Sequence, residues 1–146
     1  MKLGSKRNRV EFQKYNYTGV VADILEDNGA EKPYDLAERL FQFAVNVVKI
    51  TRNLPKSKEY SVITYQLVKS ATSVGANYEE AQAAVSKADF ANKVGIALKE
   101  CRETTYWIRL ILEITEENTE RKESKNEAFQ LQKILGAIYS KVSVRR

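Results

Sequence analysis

Four stretches of this chain space their apolar residues at alternating intervals of four and three, which keeps one stripe of a helix turned toward a partner. The first runs Leu36, Leu40, Phe43, Val47, Ile50 and Leu54. The second runs Ile63, Leu67, Ser70, Val74, Asn77 or Tyr78, Ala81 and Val85. The third carries Phe90, Val94, Ala97, Cys101, Thr104 or Thr105, Ile108 and Leu112, and the fourth Ala128, Leu131, Leu135, Ile138 and Val142. Strand-type alternation is absent from this region.

Punctuation divides the stripes into elements. Asp35 with Glu38, Ser86 with Asp89, and Ser124 with Glu127 each have the spacing of a capping box, and Pro55 stops the first run. Helices are predicted over about residues 34–53, 58–85, 87–117 and 124–143. Links this short between long helices make sequential neighbours antiparallel. The expected fold is therefore all-α, an antiparallel up-down-up-down four-helix bundle with an N-terminal extension over residues 1–33. A length of 146 residues suits one domain with one core.

The extension begins polar and basic. It then places Val20, Val21, Ile24 and Leu25 just before the turn signal Asp27-Asn28-Gly29. That patch fits a helical turn or two docked on the bundle or on a neighbour, or an ordered strand-like arm. No apolar run reaches membrane-spanning length, and no apolar leader follows the basic start. With a single cysteine, Cys101, the reducing cytoplasm is the expected compartment.

The net charge of +5 is unevenly placed. Residues 34–140 hold 15 basic and 14 acidic residues, so the excess lies in the tails. Flexible basic tails attract nucleic acid by releasing its counterions. Lys2, Lys6, Arg7, Arg9, Lys141, Arg145 and Arg146 are the expected contacts to RNA or DNA.

Two polar features interrupt the stripes. In SVGANYEEAQ, residues 73–82, helical spacing aligns Lys69, Ser73, Asn77 and Glu80 on one line and sends Glu79 toward solvent. The small residues Ser70, Ala71, Ser73, Gly75 and Ala76 would let another helix approach closely. On the third helix a second stripe runs Ile96, Glu100, Glu103, Trp107, Leu110 and Ile114. Two apolar faces on one helix point to an interface with another subunit. Arg39, on a line with Phe43 and Asn46, is expected to bridge Glu80 and Glu103. Asn77 would complete the hydrogen bonding of that structural polar network.

Catalytic readings have less support. The chain has no histidine, so the Glu-x-x-His ligand pairs of di-metal bundles are missing. Glu100-x-x-Glu103 and Glu113-x-x-Glu116 resemble the carboxylate pairs of helical nucleotide pyrophosphohydrolases, although the second pair lacks that family's terminal Asp. A magnesium-dependent nucleotide hydrolase is thus a minor alternative. Cys101 lies on a core seam with no histidine to activate it. No catalytic residue, metal or cofactor is expected.

The segment ANYEEAQAAVSKADFANKVGIALKECRETTYWIRLI, residues 76–111, resembles the bacterial four-helix bundle family named after the 23S rRNA intervening sequence protein. DLAERLFQFAVNVVKI followed by LPKS in the first helix adds to the likeness, which spans about residues 34–140. Matching positions include Arg39, Asn77, Glu80, Ser86, Phe90, Lys99, Glu100, Glu103, Tyr106 and Trp107. The resemblance implies a homo-oligomer, most often a pentamer around a central channel, in agreement with the second stripe. The family includes the accessory variability determinant of diversity-generating retroelements, a basic pentamer that binds nucleic acid and works with a reverse transcriptase. RNA, DNA and a reverse transcriptase or other protein are therefore the expected partners. The leading reading is a non-enzymatic oligomeric scaffold, and the main alternative is a protein-recruiting module without nucleic acid.

Overall fold

The structure, a computed structural model, describes residues 33–143. Four helices make up this region: α1 Pro33–Thr51, α2 Lys58–Gln82, α3 Lys87–Ile114 and α4 Thr119–Val142. Pro33 opens α1, where its missing N–H would have had no helical partner. Ser57 caps α2 by accepting from the Tyr60 N–H. Ser86 caps α3 by accepting from the Asp89 N–H at 3.0 Å, while Asp89 reaches back to accept from the Val85 N–H at 3.1 Å.

Each helix lies against the next, and α1 closes the ring against α4. The four predicted stripes meet along the axis. Leu40, Val74, Tyr78, Phe90, Val94, Cys101, Leu131, Leu135 and Ile138 are all fully enclosed. Two hydroxyls share this core. Ser70 Oγ and Thr104 Oγ1 lie 3.0 Å apart and each also reaches a carbonyl of its own helix, so neither loses hydrogen bonding on burial. The Cys101 thiol donates to the Ala128 carbonyl at 3.4 Å.

Several boundaries differ from the sequence reading. α2 ends at Gln82, and Val85 lies in the link with 81% of its surface exposed, off the seam. α4 begins five residues early, capped by Asn118 accepting from the Arg121 N–H at 3.0 Å. Ser124 is thus a buried helical residue rather than a cap. TERKE lacks apolar periodicity and reads as linker, yet Glu, Arg and Lys are good helix formers and extend the helix once Asn118 caps it. Near the end of α3, Ile111 is buried and Leu112 only partly so. A straight helix drifts from a strict 3.5-residue repeat, and over 28 residues the drift changes which residue faces in.

Candidate functional site

The polar and aromatic residues singled out above divide between two separate seams. Arg39 lies on the side of α1 that faces α4. It chelates Glu127, donating from Nε to one carboxylate oxygen and from Nη2 to the other at 3.1 Å. Nη2 also donates to the Gln130 side-chain oxygen at 2.8 Å. This pair borders a groove of about 800 Å³ between α1 and α4 that is also lined by Lys49, Glu120 and Glu123.

Asn77, Glu80 and Glu103 lie elsewhere, on the outer side of the α2–α3 seam. Asn77 Nδ2 donates to the Ser73 carbonyl one turn back, at 2.8 Å. Glu80 pairs with Lys93 of α3 at 2.6 Å, which raises the lysine's pKa. Glu103 accepts from the Trp107 indole N–H at 3.2 Å. The expected bridge from Arg39 to Glu80 and Glu103 is therefore not made. Arg39 points to α4, while the two carboxylates face outward between α2 and α3. A helical wheel gives the angle between residues on one helix, but not which neighbour stands on each side.

The second stripe of α3 runs along the outer side of that helix, and its Ile96 and Leu110 also line hollows toward α4. Ile96, Glu100, Trp107 and Leu110 are half-buried, Glu103 is exposed, and Ile114 keeps 44% of its surface in solvent. Tyr106 packs edge-on to Trp107 with ring centroids 4.9 Å apart and is itself 57% exposed. Across the seam, the Tyr60 hydroxyl donates to the Ile114 carbonyl at 3.1 Å. That register brings Val62 of α2, 59% exposed, level with the Leu110–Ile114 end of the stripe. Val62 does not stand out in the sequence. A lone valine off the seam carries no signal until the register of α2 and α3 is known.

Electrostatics distinguish one carboxylate on this face. Desolvation, and then the neighbouring Glu103 charge, raise the Glu100 pKa, while Lys69 and Lys99 act in the opposite sense. The Gly75 and Ala76 expectation divides. Gly75 faces α1, where a Cβ would meet Leu40 at 3.6 Å, an ordinary contact, and Ala76 faces solvent. Glu79 is exposed.

The residues considered for chemistry are dispersed. Glu113 faces a hollow toward α4 shared with Lys125, away from Glu100 and Glu103, and Glu116 lies beyond the end of α3. Among the described residues no group of three or more His, Cys, Asp or Glu is placed to hold a metal ion. The Cys101 thiol is enclosed, and burial pushes its pKa up to about 12. Lys141 is exposed in the last turn of α4. Lys2, Lys6, Arg7, Arg9, Arg145 and Arg146 lie outside the described residues. None of the described helices is long and apolar enough to cross a membrane.

Residues 32–137 match the 23S rRNA-intervening sequence protein family. The chain is also similar to a crystal structure of a protein of unknown function from the S23 ribosomal protein family of Bacteroides thetaiotaomicron. The two are 34% identical with a TM-score of 0.66, over 71% of this chain and 97% of the other. No match is found among curated proteins. The match covers α1 to α3 and most of α4 and leaves out the first 31 residues, so the chain is a member of the 23S rRNA-intervening sequence protein family.

Proposed function

We propose that this protein is a non-enzymatic, homo-oligomeric scaffold, a pentamer of four-helix bundles, that binds RNA or DNA through its basic tails. One observation carries the oligomer reading. The outer face of α2 and α3 presents Val62, Trp107, Leu110 and Ile114 as a partly solvated apolar patch, continuous with Asn77, Glu80, Glu100 and Glu103. Apolar area exposed beside directional polar groups is the composition of an interface. Here the polar residues serve register between subunits.

The nucleic-acid reading rests on charge placement. The surplus of positive charge sits at Lys2, Lys6, Arg7, Arg9, Lys141, Arg145 and Arg146, and an oligomer multiplies these tails. The near-neutral bundle itself favours a second reading, in which the oligomer recruits another protein, such as a reverse transcriptase, without nucleic acid.

Light scattering of the wild type and of Leu110→Glu tests the first part. The wild type should have the mass of a multimer and the variant a lower mass, and a wild-type monomer would overturn the scaffold. Binding of single-stranded RNA and duplex DNA, measured against salt with and without both tails, tests the second. Binding that persists after tail removal rejects the tail assignment, and a pull-down that survives nuclease treatment favours the protein-recruiting reading.

A further inference from the structure

The near-neutral charge of the bundle is unevenly distributed over its faces. Between α1 and α4, Arg39 and Lys49 face Glu120, Glu123 and Glu127. Between α2 and α3, Lys69 and Lys93 face Glu80, Glu100 and Glu103. On the outer side of the α3–α4 seam the balance reverses. One hollow there, of about 570 Å³, is lined by Lys99 and Arg102, and another, of about 270 Å³, by Arg109 and Lys125. Among the described residues no acid lines the larger hollow, and Glu113 is the acid of the smaller. Among the described residues these four cations form no ion pair. Glu103, one turn on from Lys99, accepts from the Trp107 indole instead.

Aromatic rings alternate with the cations. Tyr106 borders the smaller hollow and is 57% exposed, and Tyr139 borders the larger and is 38% exposed. Phe129, 40% exposed, follows Lys125 by one turn and so shares its side of α4. The floor of the larger hollow is bare backbone at Gly95 and Gly136. Gly95 lets the Tyr139 ring lie against α3, since an added Cβ would come within 2.9 Å of it. From Asn92 to Arg109 the strip runs ~25 Å along α3.

We propose that the α3–α4 face of the bundle binds single-stranded nucleic acid. Lys99, Arg102, Arg109 and Lys125 neutralise phosphates, and Tyr106, Phe129 and Tyr139 stack on unpaired bases. Charge complementarity selects a polyanion, because a row of cations without ion pairs leaves its charge to a ligand. The rings select a single strand, because bases in a duplex stack on one another and offer no free face. An acidic peptide would use the cations and leave the three rings without a partner. The inference rests on the nucleic-acid part of the function proposed above and moves its main contacts from the tails to the folded bundle.

Fluorescence anisotropy of the full-length protein with labelled oligo-dT and oligo-rU, and with a duplex of the same length, tests it at low and physiological salt. Single strands should bind about tenfold or more tightly than duplex. Lys99→Glu with Arg102→Glu should weaken that binding about tenfold or more and flatten its salt dependence. Lys49→Glu with Lys69→Glu, the same charge change on the other two seams, should change it by less than about threefold. Tyr106→Ala and Tyr139→Ala should each weaken it about fivefold or more with the salt dependence unchanged. Lys99, Arg102 and Tyr106 are exposed, so their replacement leaves the core intact. Replacing Lys2, Lys6, Arg7, Arg9, Lys141, Arg145 and Arg146 by Gln should preserve the single-strand preference. Binding that is lost with those tail charges and indifferent to Lys99 and Arg102 overturns this site and keeps the tail reading. Failure to bind any oligonucleotide overturns both. Equal affinity for duplex, or for a polyglutamate peptide, overturns the single-strand proposal.

Discussion

Arg39 of α1 holds Glu127 of α4 with two hydrogen bonds across the most open seam of the bundle. The two side chains are 30% and 32% exposed, so solvent screens much of their attraction. The pair acts mainly as a clasp that sets the register of the first helix against the last. Arg39→Ala and Glu127→Ala should each lower stability by about 0.5–1 kcal/mol in urea titrations. A double-mutant cycle should recover a coupling of similar size. Full additivity would show that the clasp contributes no coupling energy.

Alkaline pH should destabilise the bundle through two enclosed groups. Burial raises the Tyr78 phenol well above its ordinary 10.0 and the Cys101 thiol from 9.0 to about 12. Both pKa values are higher in the folded chain, so their stabilisation is complete at neutral pH and is lost as pH rises above the unfolded values. Above pH 9.0 and then 10.0 each group should remove stability at up to about 1.4 kcal/mol per pH unit. Among the described residues the Tyr78 hydroxyl has no hydrogen-bond partner in bonding geometry. Tyr78→Phe should therefore keep or raise stability at pH 7 and flatten the alkaline loss, as followed by denaturant midpoints.

Glu100 should behave in the same sense at lower pH. Its raised pKa means that the charged form is disfavoured on folding, so stability from this group is present below its ordinary 4.5 and declines as pH rises through the folded value. Glu100→Gln should melt higher than wild type at pH 7 and at the same temperature at pH 3. A variant that is less stable at pH 7 would show that the carboxylate is better satisfied than its desolvation indicates.

The glycines of the helices should respond differently to alanine. Among the described residues nothing lies within 4 Å of an added Cβ at Gly136, and at Gly75 the nearest atom is Leu40 Cβ at 3.6 Å. Both substitutions should stabilise the bundle by roughly 0.5–1 kcal/mol through helix propensity. At Gly95 the new Cβ would come within 2.9 Å of Tyr139 Cε2. Gly95→Ala should therefore stabilise less than the other two, or destabilise, because the ring must give way. Equal shifts in melting temperature at all three would show that Tyr139 moves at no cost.

The four helices, their antiparallel order and most of the core are legible from local patterning. Leu36, Leu40, Phe43 and Val47 are identifiable as core because a 3.5-residue repeat is a local property of one helix. The Ser86 and Asp89 cap is local in the same way, and so was legible. The fourth helix's start at Thr119 was obscured because TERKE has propensity but no apolar period. The second stripe of α3 can be read as a separate face, and the Tyr60–Ile114 register brings Val62 level with its C-terminal end.

Which polar residues meet depends on the packing of whole helices. Arg39, Asn77, Glu80 and Glu103 looked like one network, yet Arg39 pairs with Glu127, 88 residues away, and Glu80 with Lys93. Each pairing depends on which helix flanks which side of its neighbour and on their axial register. Packing of all four stripes into one core sets those two quantities together. No single stripe contains them.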